Sequence, residues 1–159
     1  MSTAYSALGL AVLVVNLLAG LTGAISWRRN RPSMAFWYLL RAGQVGTGLF
    51  FVFSFVVYAM GHRAEDELHY LYVCLPVVAS FMAELMRAAS ASQELSERLS
   101  PEEPKSNQEL SDLFAGLDPD SQESIGLAIV RRETMVMTIA CIVIAFLIWR
   151  ALATTAGMF

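Results

Sequence analysis

Residues 1–27 read MSTAYSALGLAVLVVNLLAGLTGAISW, and they contain no charged side chain. A helix crosses a hydrocarbon core of ~30 Å with ~20 residues, so this stretch is long enough to span a bilayer. A secretory signal would need a basic segment ahead of a short apolar core, and no Lys or Arg precedes Arg28. The stretch is therefore expected to be a first transmembrane helix.

Three further blocks reach the same length: Ser33–Met60, Leu68–Met86 and Thr134–Ala156. The last has an uninterrupted core, TMVMTIACIVIAFLIW, over 134–149. With 56% hydrophobic and 16% charged residues, the chain is greasier than a soluble domain, in which about a quarter of residues are charged. The expected fold class is all-α: four transmembrane helices in an antiparallel bundle, because short links make sequential helices neighbours. Pro32 is expected in the first turn of the second helix, where a missing N–H costs little. Glu65, Asp66 and Glu67 precede the third helix, at its positive dipole end.

Basic residues set the orientation. Arg28, Arg29 and Arg31 follow the first block, and Arg87, Arg98, Lys105, Arg131 and Arg132 lie between the third and fourth. The other side holds only Arg63 and Arg150. The positive-inside rule then places the long third link in the cytoplasm and both termini outside a plasma membrane.

Three parts follow: residues 1–87 with three spans, an acidic cytoplasmic helical hairpin over 88–130, and 131–159 with the fourth span. In the hairpin, RAASASQELSERLS continues the third helix, with Glu94 and Arg98 spaced i,i+4. Leu110, Leu113, Phe114 and Leu117 recur at helical spacing and form one apolar stripe. Asp118 and Pro119 have the form of an N-cap and first residue of a further helix. The stripe has two readings, packing within the hairpin or docking of another protein.

Polar groups inside a membrane usually face the bundle interior and are functional candidates. Arg41 lies ~12 Å into the second helix at 1.5 Å per residue, with Gln44 at i+3 and Gly48 at i+7 on its face. Glu84 lies in the same leaflet on the third helix, with Ser80 at i−4. Arg41 and Glu84 can pair; the alternatives are snorkelling to the headgroups and a site for an anion, a carboxylate or a haem propionate. Asn16 is expected to bond between helices. Small residues, among them Gly20, Gly23, Ala24, Ala42, Gly43, Gly46 and Gly48, permit close helix approach or homo-oligomerisation. Tyr5, Trp27, Trp37, Tyr58, Tyr70, Tyr72 and Trp149 are read mostly as interfacial belt residues.

His62 and His69 bracket the outer loop GHRAEDELH. They can cap helix ends, hold a haem iron between them, or join Glu65 or Asp66 around a divalent metal. Cys74 and Cys141 read as buried thiols, with no CxxC motif. There is no Ser/His/Asp set, HExxH or phosphate loop, and a net charge of −3 leaves no basic face for nucleic acid.

The runs FWYLLRAGQVGTG, GHRAEDELHYLYVCLPVVASFMAELMR and VRRETMVM resemble small four-helix membrane proteins of actinobacteria. That resemblance implies a topology and a location, and no activity. The two helix-end histidines give a weaker likeness to haem-binding four-helix membrane proteins, namely one half of haem A synthase and the cytochrome b561 group. It implies haem b held by His62 and His69. The expected function is a non-enzymatic membrane subunit or assembly factor without a cofactor, binding a partner protein through its hairpin. The alternative is a b-type haem electron-transfer protein, and a third reading is a small oligomeric transporter.

Overall fold

The computed structural model describes residues 2–100 and 106–155, and these form five helices and no strand. They are α1 (Ser2–Arg29), α2 (Met34–Ala59), α3 (Leu68–Leu99), α4 (Asn107–Ala115) and α5 (Pro119–Ala153). Helices α1, α2, α3 and α5 are long and apolar enough to cross a membrane.

Their surfaces are arranged the opposite way from a soluble bundle. On α1 the packed face is Tyr5, Gly9, Val12, Asn16, Ala19, Gly20, Gly23 and Ser26, mostly small or polar. Its exposed face carries Leu10, Val14, Leu17, Leu18, Leu21 and Ile25. Helix α2 also leaves Val45, Leu49, Val52 and Phe55 outside, and its packed face mixes Gly43, Thr47 and Ser54 with Phe36, Leu40, Phe50 and Val57. Apolar surface on this scale is costly in water and free of that cost in lipid.

Small residues set the helix spacing. A methyl group added at Gly23 would strike the Phe36 ring of α2 and the Thr138 hydroxyl of α5. One added at Gly43 would press on the Asn16 amide of α1. Gly20 and Gly46 also meet neighbouring helices, whereas Gly48 faces open space and Ala24 and Ala42 are exposed. Asn16 departs from expectation, because its Nδ2 donates to the Val12 carbonyl one turn back in its own helix, at 2.9 Å.

Helix α5 is the centre of the packing. It meets α1 and α3 most extensively and touches α2 little, while α2 packs on α1 and, less closely, on α3. One core cluster joins Tyr5, Val12, Phe50, Val57, Val73, Ile144 and Ile148. A second joins Ala19, Phe36, Leu40, Ala83, Met137 and Cys141.

Helix ends follow local chemistry. Asn30, at φ 50°, and Gly61, at φ 91°, take left-handed conformations just past α1 and α2. The Arg31 N–H returns to the Ser26 carbonyl and the His62 N–H to that of Val57, closing two Schellman caps. Pro32 lies outside α2, because Ser33 is the N-cap and its hydroxyl accepts from the Phe36 N–H. Helix α3 runs through Pro76 to Leu99, so the expected continuation forms, and Pro76 is buried. Helix α5 starts at Pro119 under the Asp118 cap and continues without a break through the apolar block. Helix α4 opens with a capping box between Ser106 and Glu109.

Candidate functional site

Two polar networks tie the helices, one near each end of α2. The first is uncharged and fully enclosed. Tyr5 from the start of α1, Ser54 from the end of α2, His69 from the start of α3 and Thr154 just past α5 come together there. His69 is 0% exposed. Its Nδ1 is 3.0 Å from the Ala151 carbonyl and 3.2 Å from the Thr154 hydroxyl, and its Nε2 is 3.0 Å from the Tyr5 hydroxyl. A carbonyl only accepts, so Nδ1 carries a proton, and in the neutral ring Nε2 accepts from Tyr5. The Tyr5 hydroxyl also lies 2.9 Å from the Ser54 hydroxyl, whose one proton is within reach of both the Tyr5 oxygen and the Phe50 carbonyl.

Tyr5 is therefore a core residue, 0% exposed, and not a belt residue. Among the other aromatics of that set, Trp27, Tyr58 and Trp149 are exposed. His62 lies in the α2–α3 link, beyond the end of α2 at Ala59, and is half-buried. The two histidines are thus not matched positions on two helices. A haem iron at His69 would have to displace Tyr5 or the Ala151 carbonyl, because both ring nitrogens are engaged. Among the described residues no three of His, Cys, Asp and Glu are grouped to hold a metal. Cys74 is exposed, contrary to expectation, because it falls on the outward side of α3, whereas Cys141 is buried.

The second network is charged. Arg41 Nη1 donates to Glu84 Oε1 and to Gln44 Oε1, each at 2.7 Å, and Gln44 Nε2 donates to the same Glu84 oxygen. Arg87 Nε donates to Glu84 Oε2 at 2.7 Å, and Arg87 Nη1 stands 3.9 Å from Glu133. Two arginines and two glutamates thus link α2, α3 and α5. The expected pairing of Arg41, Gln44 and Glu84 is present, but its placement differs. The Arg41 side chain is 54% exposed and bridges α2 and α3 from outside the bundle. Gly43 and Thr47 take the interior positions on α2 instead. A neutral cluster of this kind lets an arginine sit beside apolar surface without an uncompensated charge.

Farther along α3 a similar set recurs. Arg132 of α5 bonds Glu94 and Glu97, and Arg98 bonds Glu94 at 2.7 Å. Glu94 and Arg98 form the expected i,i+4 pair. Arg87 and Arg132 enter the sequence reading only as basic residues that set the orientation, and Glu133 does not enter it; Arg87 stands at the local i,i+3 spacing from Glu84, whereas Arg132 and Glu133 pair with residues far away in the chain.

The hairpin stripe is divided. Leu110 is 2% exposed and packs inside, Phe114 and Leu117 are half-buried, and Leu113 is 41% exposed. Leu117 falls beyond α4, past the Gly116 C-cap.

A cavity of about 550 Å³ opens between the α1–α2 link and the N-terminal half of α5, lined by Trp27, Arg31, Asp120, Glu123, Leu127 and Arg131 among others.

No family model, curated protein or solved structure matches the chain.

Proposed function

We propose that the chain is a multi-pass plasma-membrane protein that holds a rigid helical hairpin on the cytoplasmic face as a docking element for a partner protein. In this reading α1, α2, α3 and α5 span the bilayer as an antiparallel bundle. Support for the antiparallel order comes from the Tyr5, Ser54, His69 and Thr154 group, which joins alternate helix starts and ends. The outward Leu, Val, Ile and Phe side chains support insertion. The basic α1–α2 link and the hairpin side of α5 border one cavity. Both basic segments therefore lie at one end, which the positive-inside rule assigns to the cytoplasm.

The observation that carries the docking role is the construction of the hairpin. Helices α3 and α5 both continue past their apolar segments, and Arg132 fastens them through Glu94 and Glu97. Leu110 anchors α4, leaving Leu113 presented outward. Leu113 thus offers a partner an apolar contact on a braced surface, whose burial would remove apolar area from water.

A photo-crosslinking amino acid at Leu113, in cells, tests this reading. Discrete protein adducts at Leu113, abolished by Asp118→Pro, which disturbs the hairpin, and absent at lipid-facing Leu71, are the expected result. Adducts to lipid alone, or none, would end the docking role. Reporters fused in the hairpin test its sidedness separately.

A further inference from the structure

Unlike the seams that α3 makes with α2 and α5, the cavity beside the α1–α2 link holds charged groups of both signs that do not pair. Arg41, Arg87, Arg98 and Arg132 are all bound to glutamates. Among the described residues, Arg31 and Arg131 have no carboxylate within 4.0 Å, nor do Asp120 and Glu123 have a basic partner within that distance. All four line the same cavity. The adjacent residues Arg131 and Arg132 therefore have opposite fates. Arg132 closes the α3–α5 seam, while Arg131 lies on the other side of α5 with its guanidinium carbon 5.8 Å from the centre of the Trp27 ring.

Unpaired cations and unpaired anions that share a cavity without meeting are complementary to a zwitterion. Along α5, Arg131 and Thr134 are next to the apolar block, and Asp120 and Glu123 lie at the far end of the cavity. The positive groups are thus nearer the bilayer and the negative groups farther out, the order of phosphate and amine in an aminoethyl phospholipid. Trp27 and Leu127 add apolar surface at 39% and 47% exposure.

We propose that this cavity is a headgroup site for phosphatidylethanolamine. Arg31 and Arg131 donate to the phosphodiester oxygens, which suit the guanidinium fork. Asp120 and Glu123 accept from the primary ammonium, which carries three donors. The acyl chains leave past Trp27 along the apolar face of α1. The site rests on the membrane-spanning reading given above. It distinguishes lipids by chemistry, since phosphatidylcholine has no N–H to give the carboxylates. Phosphatidylglycerol meets those carboxylates with no cation at all.

The test is native mass spectrometry of the full chain released from mixed micelles holding equal amounts of phosphatidylethanolamine, phosphatidylcholine and phosphatidylglycerol. The wild type should retain phosphatidylethanolamine preferentially. Asp120→Asn with Glu123→Gln should remove the preference over phosphatidylglycerol. Arg31→Ala with Arg131→Ala should lower retention about a hundredfold, about tenfold for each lost charge-assisted hydrogen bond. Arg131→Lys, which preserves the charge, guards against misfolding and should lose less, and Arg150→Ala, away from the cavity, should change nothing. Equal retention of the three lipids, or selectivity untouched by the Asp120 and Glu123 changes, would overturn the site. Binding of soluble phosphoethanolamine without any lipid preference would overturn the lipid as its source. Flotation with vesicles is read in parallel, so a chain that fails to enter bilayers refutes the membrane reading and not the selectivity alone.

Discussion

The two polar networks accomplish the same joining of helices with opposite chemistry. Around His69 the groups are uncharged and enclosed, and each bond closes between atoms that water does not reach. Around Glu84 the groups are charged and partly open, with the Arg41 side chain 54% exposed. Enclosed bonds contribute modestly while intact and cost much when one partner is removed, because the other is left unsatisfied. Open ion pairs are screened and exchange partners with solvent, so each contributes little by itself. The His69 group should therefore decide whether the bundle closes, and the Glu84 group should adjust how α2 sits on α3.

His69→Ala attacks the enclosed side and carries the largest expected effect. It removes a packed ring and the hydrogen bonds that Tyr5 and the Ala151 carbonyl make with it, leaving them only Ser54 and Thr154, a loss of about 2–4 kcal/mol. Reversible unfolding in mixed micelles would measure it, and a loss no larger than that of Glu84→Gln would erase the contrast. Gly23→Val comes next. Its added carbons meet the Phe36 ring and Thr138, at a cost of about 1–3 kcal/mol in the same assay.

Glu84→Gln probes the open side. It removes the negative charge that Arg41 and Arg87 share and leaves one amide acceptor between them, with an expected loss of about 1 kcal/mol that shrinks as salt is added. A salt-independent loss would mean that the network is better enclosed than its exposure indicates.

The smallest effect concerns the Asp118 cap. Hydrogen bonds from Ser121, its side chain first and then its backbone N–H, hold the Asp118 carboxyl below the ordinary aspartate range. A depressed value favours the folded cap above the unfolded pKa of ~3.9, and this support disappears as pH falls through the folded value. Carbon chemical shifts of Ser121 and Gln122, followed from neutral to strongly acidic solution, should report fraying of the first turn of α5. Asp118→Asn keeps an acceptor and should flatten that dependence.

Much of this was legible in the sequence because it is local. The four apolar blocks, the continuation of α3 to Leu99 and the cap at Asp118 all follow from neighbouring residues. Arg41 and Glu84 were also within reach, since a short link fixes their relative depth. The capping box at Ser106 and Glu109 carried the same kind of local signal without entering that reading. What local pattern does not carry is direction. Helix α2 is apolar nearly all round, so its sequence does not distinguish an interior at Gly43 and Thr47 from one at Arg41. Likewise nothing near Tyr5 indicates that its hydroxyl meets His69, and nothing near α1 shows that its main neighbour is α5, more than a hundred residues away.

Helix α5 has one more consequence, and it is mechanical. Its 35 residues form a single rod of about 50 Å that belongs to the apolar bundle at one end and to the hairpin at the other. Such a rod turns displacement on one side into displacement on the other. A tilt of about 5° around Cys141 swings Pro119 by about 3 Å, given a rise of 1.5 Å per residue. A displacement of the apolar end is thereby carried to Pro119 itself, with no break in the helix between them to absorb it.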